Sequence, residues 1–203
     1  VDWIAPLKAK HQIYLETSLV KSSNLIEAIQ TLLPLVNVET TRLLFMPTKS
    51  LWTALFSNHI QGLDGGPVRQ LPMRIGCRSI FIVAIPNTIQ KNTSSRGRYG
   101  MISFSLNGPT SDEVGRGTVR IISAANDGGR WDWHTFGEPL SFEDVEQYNA
   151  RQIKDRFTIE MIRIYAAELG IYPFEENFYL PPENDEAVLV EKVGNLYSNI
   201  QSF

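Results

Sequence analysis

His134 is the residue of this 203-residue chain whose type and setting best suit acid–base chemistry. It lies two positions after Asp132 in a strand-like stretch, and alternation along a strand puts both side chains on one face. Asp127 and Glu143 lie nearby in the sequence. A histidine beside carboxylates can take up or release a proton near neutral pH. The spacing predicts either a polar acid–base or metal site around residues 127–143 or an exposed hairpin face without chemistry.

The remaining metal-binding residue types do not extend this group. His11, His59 and His134 each lack a second histidine or cysteine at the spacing that metal ligands show. Cys77 is the single cysteine, which excludes an internal disulfide and the zinc sites that need several thiols. Its apolar surroundings favour a core position over a nucleophile. We therefore predict no metal site, and a reducing cytoplasm as the compartment.

One glycine-rich triplet resembles an anion-binding loop. Asp64-Gly65-Gly66 precedes a predicted helix, and helix N-termini attract anions. The triplet lacks the Lys-Ser/Thr pair of a phosphate loop and the glycine spacing of a dinucleotide-binding turn. The sequence therefore predicts no cofactor.

Charge divides the chain into a basic part and an acidic part. Residues 1–111 carry 11 Lys and Arg against 5 Asp and Glu, whereas residues 112–203 carry 8 against 17. Either the two parts neutralise each other, or the acidic part attracts a basic partner and the basic part a phosphate. A sequence pI near 5.7 argues against general nucleic-acid binding. The apolar runs are far shorter than the ~20 residues of a membrane helix, so no membrane partner is predicted.

Apolar alternation and helix caps predict a regular first half. Strands are expected at 11–16, 41–46, 51–56 and 78–85, and helices at 25–33 and 67–76. Asn24 with Glu27 three positions later is a capping pair for the first helix. The order β-α-β-β-α-β is that of a ferredoxin-like unit. We predict an α+β fold in one domain over 1–203, with this βαββαβ unit in residues 1–86.

An antiparallel meander and C-terminal helices are expected to extend that unit over residues 99–203. The meander strands are predicted at 99–106, 118–125 and 130–135. Asp127-Gly128-Gly129 is typical of a tight hairpin turn, and Trp131 is expected to be largely buried behind it.

Capping residues place the predicted C-terminal helices. They are expected at 142–154, at 159–169 and, as a short last helix, at 186–197. The polar stretch 87–98 before the meander predicts a mobile loop.

A dense charge cluster lies between the first two of these helices. Arg151, Asp155 and Arg156 fall within six residues. Such charges commonly form a solvated face or clamp neighbouring elements together. Alternatively, an ordered array of this kind recognises the charged side chains of a partner.

The C-terminal half resembles a known group of proteins. The run Asp127-Gly128-Gly129-Arg130-Trp131-Asp132-Trp133 is followed by 136–143, by Tyr148 and Arg151, by 155–158 and by 169–171. This pattern, over residues 126–180, is similar to that of uncharacterised bacterial proteins, some of which resemble immunity proteins of toxin systems. The resemblance implies an acidic, cytosolic, single-domain protein that neutralises a toxin by occluding its active site. It implies no catalytic residue.

Two functions therefore follow from the sequence. The first is a non-enzymatic inhibitor of a basic protein partner, with the exposed acids of the tail as contact residues and Phe178 and Tyr179 as aromatic anchors. These aromatics would otherwise pin the tail to the core. The second is a small enzyme or small-molecule-binding domain with a cleft that uses residues such as Asp127, Arg130, His134 and Glu143. The sequence leaves the oligomeric state open.

Overall fold

The computed structural model describes residues 13–37, 39–62, 65–89, 97–109, 117–181, 184 and 186–194. The chain divides into two compact units, one formed by Val1–Asp64 with Gly170–Phe203 and the other by Gly65–Leu169. We call them unit 1 and unit 2. His11, Asp64, most of the predicted loop 87–98 and the end of the predicted helix 186–197 lie outside the described residues.

Strands dominate the described part of both units. In chain order the elements are β1 (Ile13–Lys21), α1 (Leu25–Gln30), β2 (Arg42–Pro47), β3 (Thr53–Ser57), α2 (Gly65–Ile75), β4 (Ser79–Ile85), β5 (Met101–Asn107), β6 (Thr118–Asp127), β7 (Arg130–Phe136), α3 (Ile159–Glu168) and β8 (Glu186–Gly194). Short 3₁₀ turns lie at Gln147–Asn149, Ile153–Asp155 and Glu176–Phe178. The α+β class is confirmed.

Unit 1 is an antiparallel sheet with the order β1-β8-β2-β3. The predicted hairpin of β2 and β3 is confirmed, with Phe45 opposite Leu55. Helix α1 packs on one face of the sheet, where a buried cluster joins the helix and the turn after it to two strands, β2 and β8. Its members are Ala28, Leu32, Leu44, Met46, Ala187 and Leu189. Burial of these side chains is the main stabilising contribution in this unit.

The predicted cap of α1 is also confirmed. The Asn24 side chain accepts a hydrogen bond from the Glu27 backbone N–H at 2.9 Å, and the Glu27 carboxylate accepts one from the Ser23 N–H at 2.9 Å. This reciprocal pair satisfies two backbone donors at the start of the helix. The hydrogen bonds from Ser23 lower the pKa of Glu27.

A buried asparagine holds the chain between α1 and β2. The Asn58 amide oxygen accepts hydrogen bonds from the backbone N–H groups of Thr41 and Arg42, both at 3.0 Å. Its amide nitrogen donates to the Pro34 carbonyl at 3.2 Å and to the Thr41 hydroxyl at 2.9 Å. Asn58 is almost fully buried. Every polar atom of this side chain therefore has a partner, as burial demands.

The ferredoxin-like arrangement is not confirmed. The first six elements follow the predicted order, but β4 pairs with β5 in unit 2 instead of joining β1–β3. The place between β1 and β2 is taken by β8. Residues 186–194, expected in a helix, thus form a central strand, since alternate side chains such as Ala187 and Leu189 are buried under α1.

Unit 2 is a four-stranded antiparallel meander, β4-β5-β6-β7. The predicted meander of β5, β6 and β7 is confirmed, and β4 adds a strand to it. Side chains from one face of the sheet form a core with side chains of α3 and of the segment before it. The buried members are Ile102, Phe104, Leu106, Ile122, Ala124, Phe157, Met161, Ile162 and Tyr165.

The two helices predicted to follow the meander have different outcomes. Helix α3 is confirmed, with the Thr158 side chain accepting a hydrogen bond from the Met161 N–H at 3.3 Å. The helix at 142–154 is wrong, because this segment forms turns and two 3₁₀ turns. Among its core-packed residues, Phe142 and Tyr148 are six positions apart, which in a helix would place them about 120° from each other around the axis.

Candidate functional site

The hairpin of β6 and β7 forms the candidate site. Its tip is the predicted tight turn: Asp127 pairs with Arg130, and Gly128 and Gly129 have φ angles of 61° and 97°. Positive φ at both central residues is the geometry that matches the twist of the flanking strands. The Gly129 N–H also donates to the Asn126 side-chain oxygen at 2.9 Å. The turn is therefore fixed by local hydrogen bonding and by glycine.

Strand β7 separates its side chains onto two faces. Trp131 and Trp133 pack against the core of unit 2, although Trp131 is half-buried and not largely buried as expected. The other face carries exposed residues of several chemical types, namely Arg130, Asp132, His134 and Phe136. We call these four residues the β7 face.

The predicted acid–base partners are not brought together. His134 lies opposite Ser123 of β6 on the outward side of the sheet. Glu143 bonds instead to Arg120, which shares the inward side of β6 with buried Ile122. Alternation along the strand therefore places His134 and Glu143 on opposite faces of the sheet. No proton transfer between them follows from this geometry.

Glu143 is instead the centre of a buried ion pair. Arg120 Nε and Nη2 donate to its two carboxylate oxygens at 2.8 and 2.7 Å. The side chains of Arg120 and Glu143 are 3% and 0% exposed. The parallel double contact is the strongest geometry for this pair of groups. It fastens the segment after β7 to the middle of the sheet.

Two tyrosines complete the surroundings of the carboxylate. The Tyr148 hydroxyl donates to Glu143 Oε2 at 2.9 Å and lies 3.1 Å from the Tyr165 hydroxyl. The single proton of the Tyr148 hydroxyl goes to Glu143, so Tyr165 is the donor between the two hydroxyls, and the Tyr165 oxygen in turn accepts from the Asp144 N–H at 2.7 Å. A one-way chain of donors thus ends at Glu143. We call Arg120, Glu143, Tyr148 and Tyr165 the Arg120 network.

The ionisation of these groups reflects burial and the charge of Glu143. Burial, followed by the hydrogen bonds to Tyr165 and Glu143, raises the pKa of Tyr148. Burial also raises the pKa of Tyr165. Burial acts to lower the pKa of Arg120, but the hydrogen bond and charge of Glu143 outweigh it and the pKa is raised. The network therefore holds a charged pair and two neutral phenols.

The remaining donors of the network bind the backbone. Arg120 Nη1 donates to the carbonyls of Phe136 and Gly137 at 3.1 and 2.6 Å, and the Leu140 N–H donates to Glu143 Oε1 at 2.9 Å. With Tyr148 included, Glu143 accepts four hydrogen bonds, which fills the capacity of a carboxylate. Glu143 therefore has no acceptor site left for a ligand.

The charge cluster at residues 151–156 does not form the clamp that its composition suggests. Arg151 and Asp155 are exposed, and Arg156 donates to the Ala150 carbonyl at 2.9 Å. Within the described part of the chain no ion pair joins these three residues. The Arg120 network performs the fastening in their place.

The two aromatics predicted as anchors belong to the packing of unit 1. Phe178 is 4% exposed, and Tyr179 is half-buried with its hydroxyl donating to the Pro173 carbonyl at 2.8 Å. Their rings lie 5.4 Å apart, and Tyr179 also contacts Phe56 at 5.7 Å. Burial raises the pKa of Tyr179. Both aromatics hold the tail against its own unit.

Sequence reasoning missed Arg120 and Tyr165. The sequence signal was the position of Arg120 in the strand: it lies two residues before Ile122 and four before Ala124, so it shares the buried face of β6 with them. A charged residue in phase with a core face needs a buried partner. Val119 and Ile121 make the opposite face of β6 apolar as well, which hid this signal.

Neither a metal centre among the described residues nor a similar known protein gives further information on the function of this site. The described residues contain no group of three or more His, Cys, Asp or Glu side chains that could hold a metal ion. No helix in the described ranges is long and apolar enough to cross a membrane. Comparison with family models, with curated proteins and with solved structures finds no significant match.

Proposed function

We propose that this chain is a non-enzymatic protein-binding module that inhibits a basic protein partner, in the manner of a toxin-immunity protein. The observation that carries the proposal is the β7 face. Arg130, Asp132, His134 and Phe136 are exposed on one side of a strand whose other side is packed in the core. Side chains held on a rigid strand lose little freedom on binding, so they make a pre-organised contact surface.

The exposed charges of unit 2 as a whole support a basic partner. Between residues 117 and 169, eight Asp and Glu side chains are exposed against four exposed Lys and Arg. This excess, which is spread over unit 2 and includes α3, attracts a positively charged protein and speeds its association at low ionic strength. Phe136, 40% exposed on the β7 face, supplies an aromatic contact of the kind that dominates many interfaces.

The alternative of an enzyme with a cleft around residues 127–143 has less support. Such a site needs a carboxylate close to His134, and Glu143 is saturated by other partners on the opposite side of the sheet. Asp127 and Asp132 remain on the hairpin, but both are exposed. Exposed carboxylates on a hairpin do not form the concave site in which enzymes hold a substrate.

Affinity capture from the cells that express the chain tests the proposal. The wild type is compared with Asp132→Arg, which reverses a charge on the β7 face, and with Glu168→Arg, the same change on α3. We expect a basic protein to be retained by wild type and Glu168→Arg and lost by Asp132→Arg. A set of captured proteins that is the same for all three chains contradicts the proposal.

A further inference from the structure

Strand β1 is the outermost strand of the unit 1 sheet, and its side chains are mostly exposed apart from Val20, which packs against the core under α1. It pairs with β8 on one side, and the described residues place no strand on its other side. Tyr14 is 63% exposed on one face of the sheet and Leu19 is 67% exposed on the other. An open strand edge with exposed apolar side chains is a template for pairing with another strand.

Two of the usual protections of an edge, a bulge and a proline, are absent from β1. Its nine residues pair with β8 in an unbroken register from Ile13 to Lys21, so no bulge twists it away. It contains no proline, and its one basic residue, Lys21, lies at the end and is paired with Glu186 at 3.1 Å. The middle of the strand, at Thr17 and Ser18, is uncharged and exposed. This edge is suited to pairing.

The β1 sequence is complementary to itself in one antiparallel register. Two identical strands related by a two-fold axis must be centred on a residue, because opposite side chains point to the same face. Centring on Glu16 opposes two carboxylates, and centring on Ser18 opposes Leu15 to Lys21 and Glu16 to Val20. Centring on Thr17 opposes Leu15 to Leu19, Tyr14 to Val20 and Glu16 to Ser18, and confines the mismatch to the terminal pair of Ile13 with Lys21.

We propose that β1 pairs with β1 of a second copy of this chain, antiparallel and centred on Thr17. The pairing joins two four-stranded sheets into one of eight strands across the two copies. By symmetry the Leu15–Leu19 pair forms twice on one face and the Tyr14–Val20 pair twice on the other. Cross-strand apolar pairs of this kind are the units that stabilise sheets.

A cysteine scan tests the register. In a Cys77→Ser background, Thr17→Cys places two thiols directly opposite, about 5 Å apart between Cα atoms, within reach of a disulfide. Leu51→Cys is the control, because that residue is fully exposed and lies outside β1. We expect mild oxidation to cross-link Thr17→Cys and to leave Leu51→Cys without a cross-link. A dimer in which Thr17→Cys does not cross-link, or in which both variants do so equally, overturns the register.

Sedimentation equilibrium tests the association itself. We expect a concentration-dependent dimer for the wild type, and Leu19→Lys weakens it by about tenfold because two apolar pairs are lost. Ile164→Lys, which changes an equally exposed residue on α3, leaves the dimer unchanged. Circular dichroism confirms that both variants are folded. A wild-type chain that stays monomeric throughout the concentration series overturns the proposal.

The salt dependence of association distinguishes this pairing from the binding proposed for the β7 face. The register brings the Glu16 carboxylates of the two copies into diagonal positions, so added salt screens a repulsion and strengthens the dimer. Binding of a basic partner through the β7 face weakens with salt. A dimer that dissociates as salt rises contradicts the pairing through β1.

Discussion

Arg120 and Glu143, 23 residues apart in the sequence, meet in unit 2 through two parallel hydrogen bonds of 2.7 and 2.8 Å. Both side chains are buried, so removal of either leaves an unpaired charge without water. We expect Arg120→Met and Glu143→Leu each to lower the free energy of unfolding by about 3–5 kcal/mol. Urea unfolding measures this change. A loss below about 1 kcal/mol, typical of an exposed pair, contradicts the assigned burial.

The double variant distinguishes the free energy of the ion pair from that of the hydrogen bonds around it. Arg120→Met with Glu143→Leu removes both charges together, so its cost should be well below the sum of the single costs. It still leaves the Leu140 N–H and the carbonyls of Phe136 and Gly137 without these partners. We therefore expect a residual loss of about 1–3 kcal/mol. Additive single costs would show that the two residues act independently.

Tyr148 makes stability depend on alkaline pH. Burial raises the folded-state pKa of Tyr148 above its unfolded value near 10, so its contribution is present below about pH 10 and is lost as the pH rises further. Tyr148→Phe removes the hydrogen bond to Glu143 and should cost about 1–2 kcal/mol at neutral pH. Denaturant titrations should show this difference shrinking near pH 11, since the variant has no phenol to ionise. A constant difference across pH contradicts the raised pKa.

Gly128 tests the hairpin tip without touching any neighbour. A Cβ at this position has open space, so the cost of substitution comes from the positive φ angle alone. Gly128→Val should lose about 1–2 kcal/mol, whereas Gly128→Asn should lose much less, because asparagine tolerates this conformation. Thermal unfolding distinguishes the two variants. Equal melting temperatures for valine and asparagine would show that the turn differs from the one described.

Substitution of Asn58 tests the buried hydrogen bonds of unit 1. Asn58→Asp keeps the acceptor for the Thr41 and Arg42 N–H groups but replaces the donor that faces the Pro34 carbonyl. We expect a loss of about 1–3 kcal/mol at neutral pH, partly recovered when the carboxyl is protonated in acid. Asn37→Asp, an exposed change in the segment between α1 and β2 that Asn58 holds, is the control and should be neutral. A neutral Asn58→Asp contradicts the described network.

Local signals in the sequence predict most of the elements. Asn24 and Thr158 are found as helix caps, and the glycines at 128 and 129 form the predicted turn. These features depend on residues within four positions of each other. The predicted helix at 142–154 is absent because the bonds of Glu143 with Arg120 and of Tyr148 with Tyr165, which are distant in the sequence, set the turns there.

The strand order of the unit 1 sheet is the feature that the sequence predicts least well. Residues 186–194 contain a continuous apolar stretch at 187–190 because β8 lies between β1 and β2. A short apolar run reads equally as a buried strand or a helix segment. Insertion of β8 is decided by pairing across more than 140 residues, which periodicity does not report. The ion pair of Arg120 with Glu143 is likewise not predictable from periodicity, because the two residues are 23 positions apart.

Binding of a captured partner to the purified chain is the most direct test of the β7 face. Calorimetric titration is carried out with wild type, Asp132→Arg, Phe136→Ser and the control Glu168→Arg. We expect each β7-face variant to weaken binding by about tenfold or more, the control to bind nearly as the wild type does, and added salt to weaken wild-type binding. Undiminished affinity for both Asp132→Arg and Phe136→Ser would contradict the role of the β7 face.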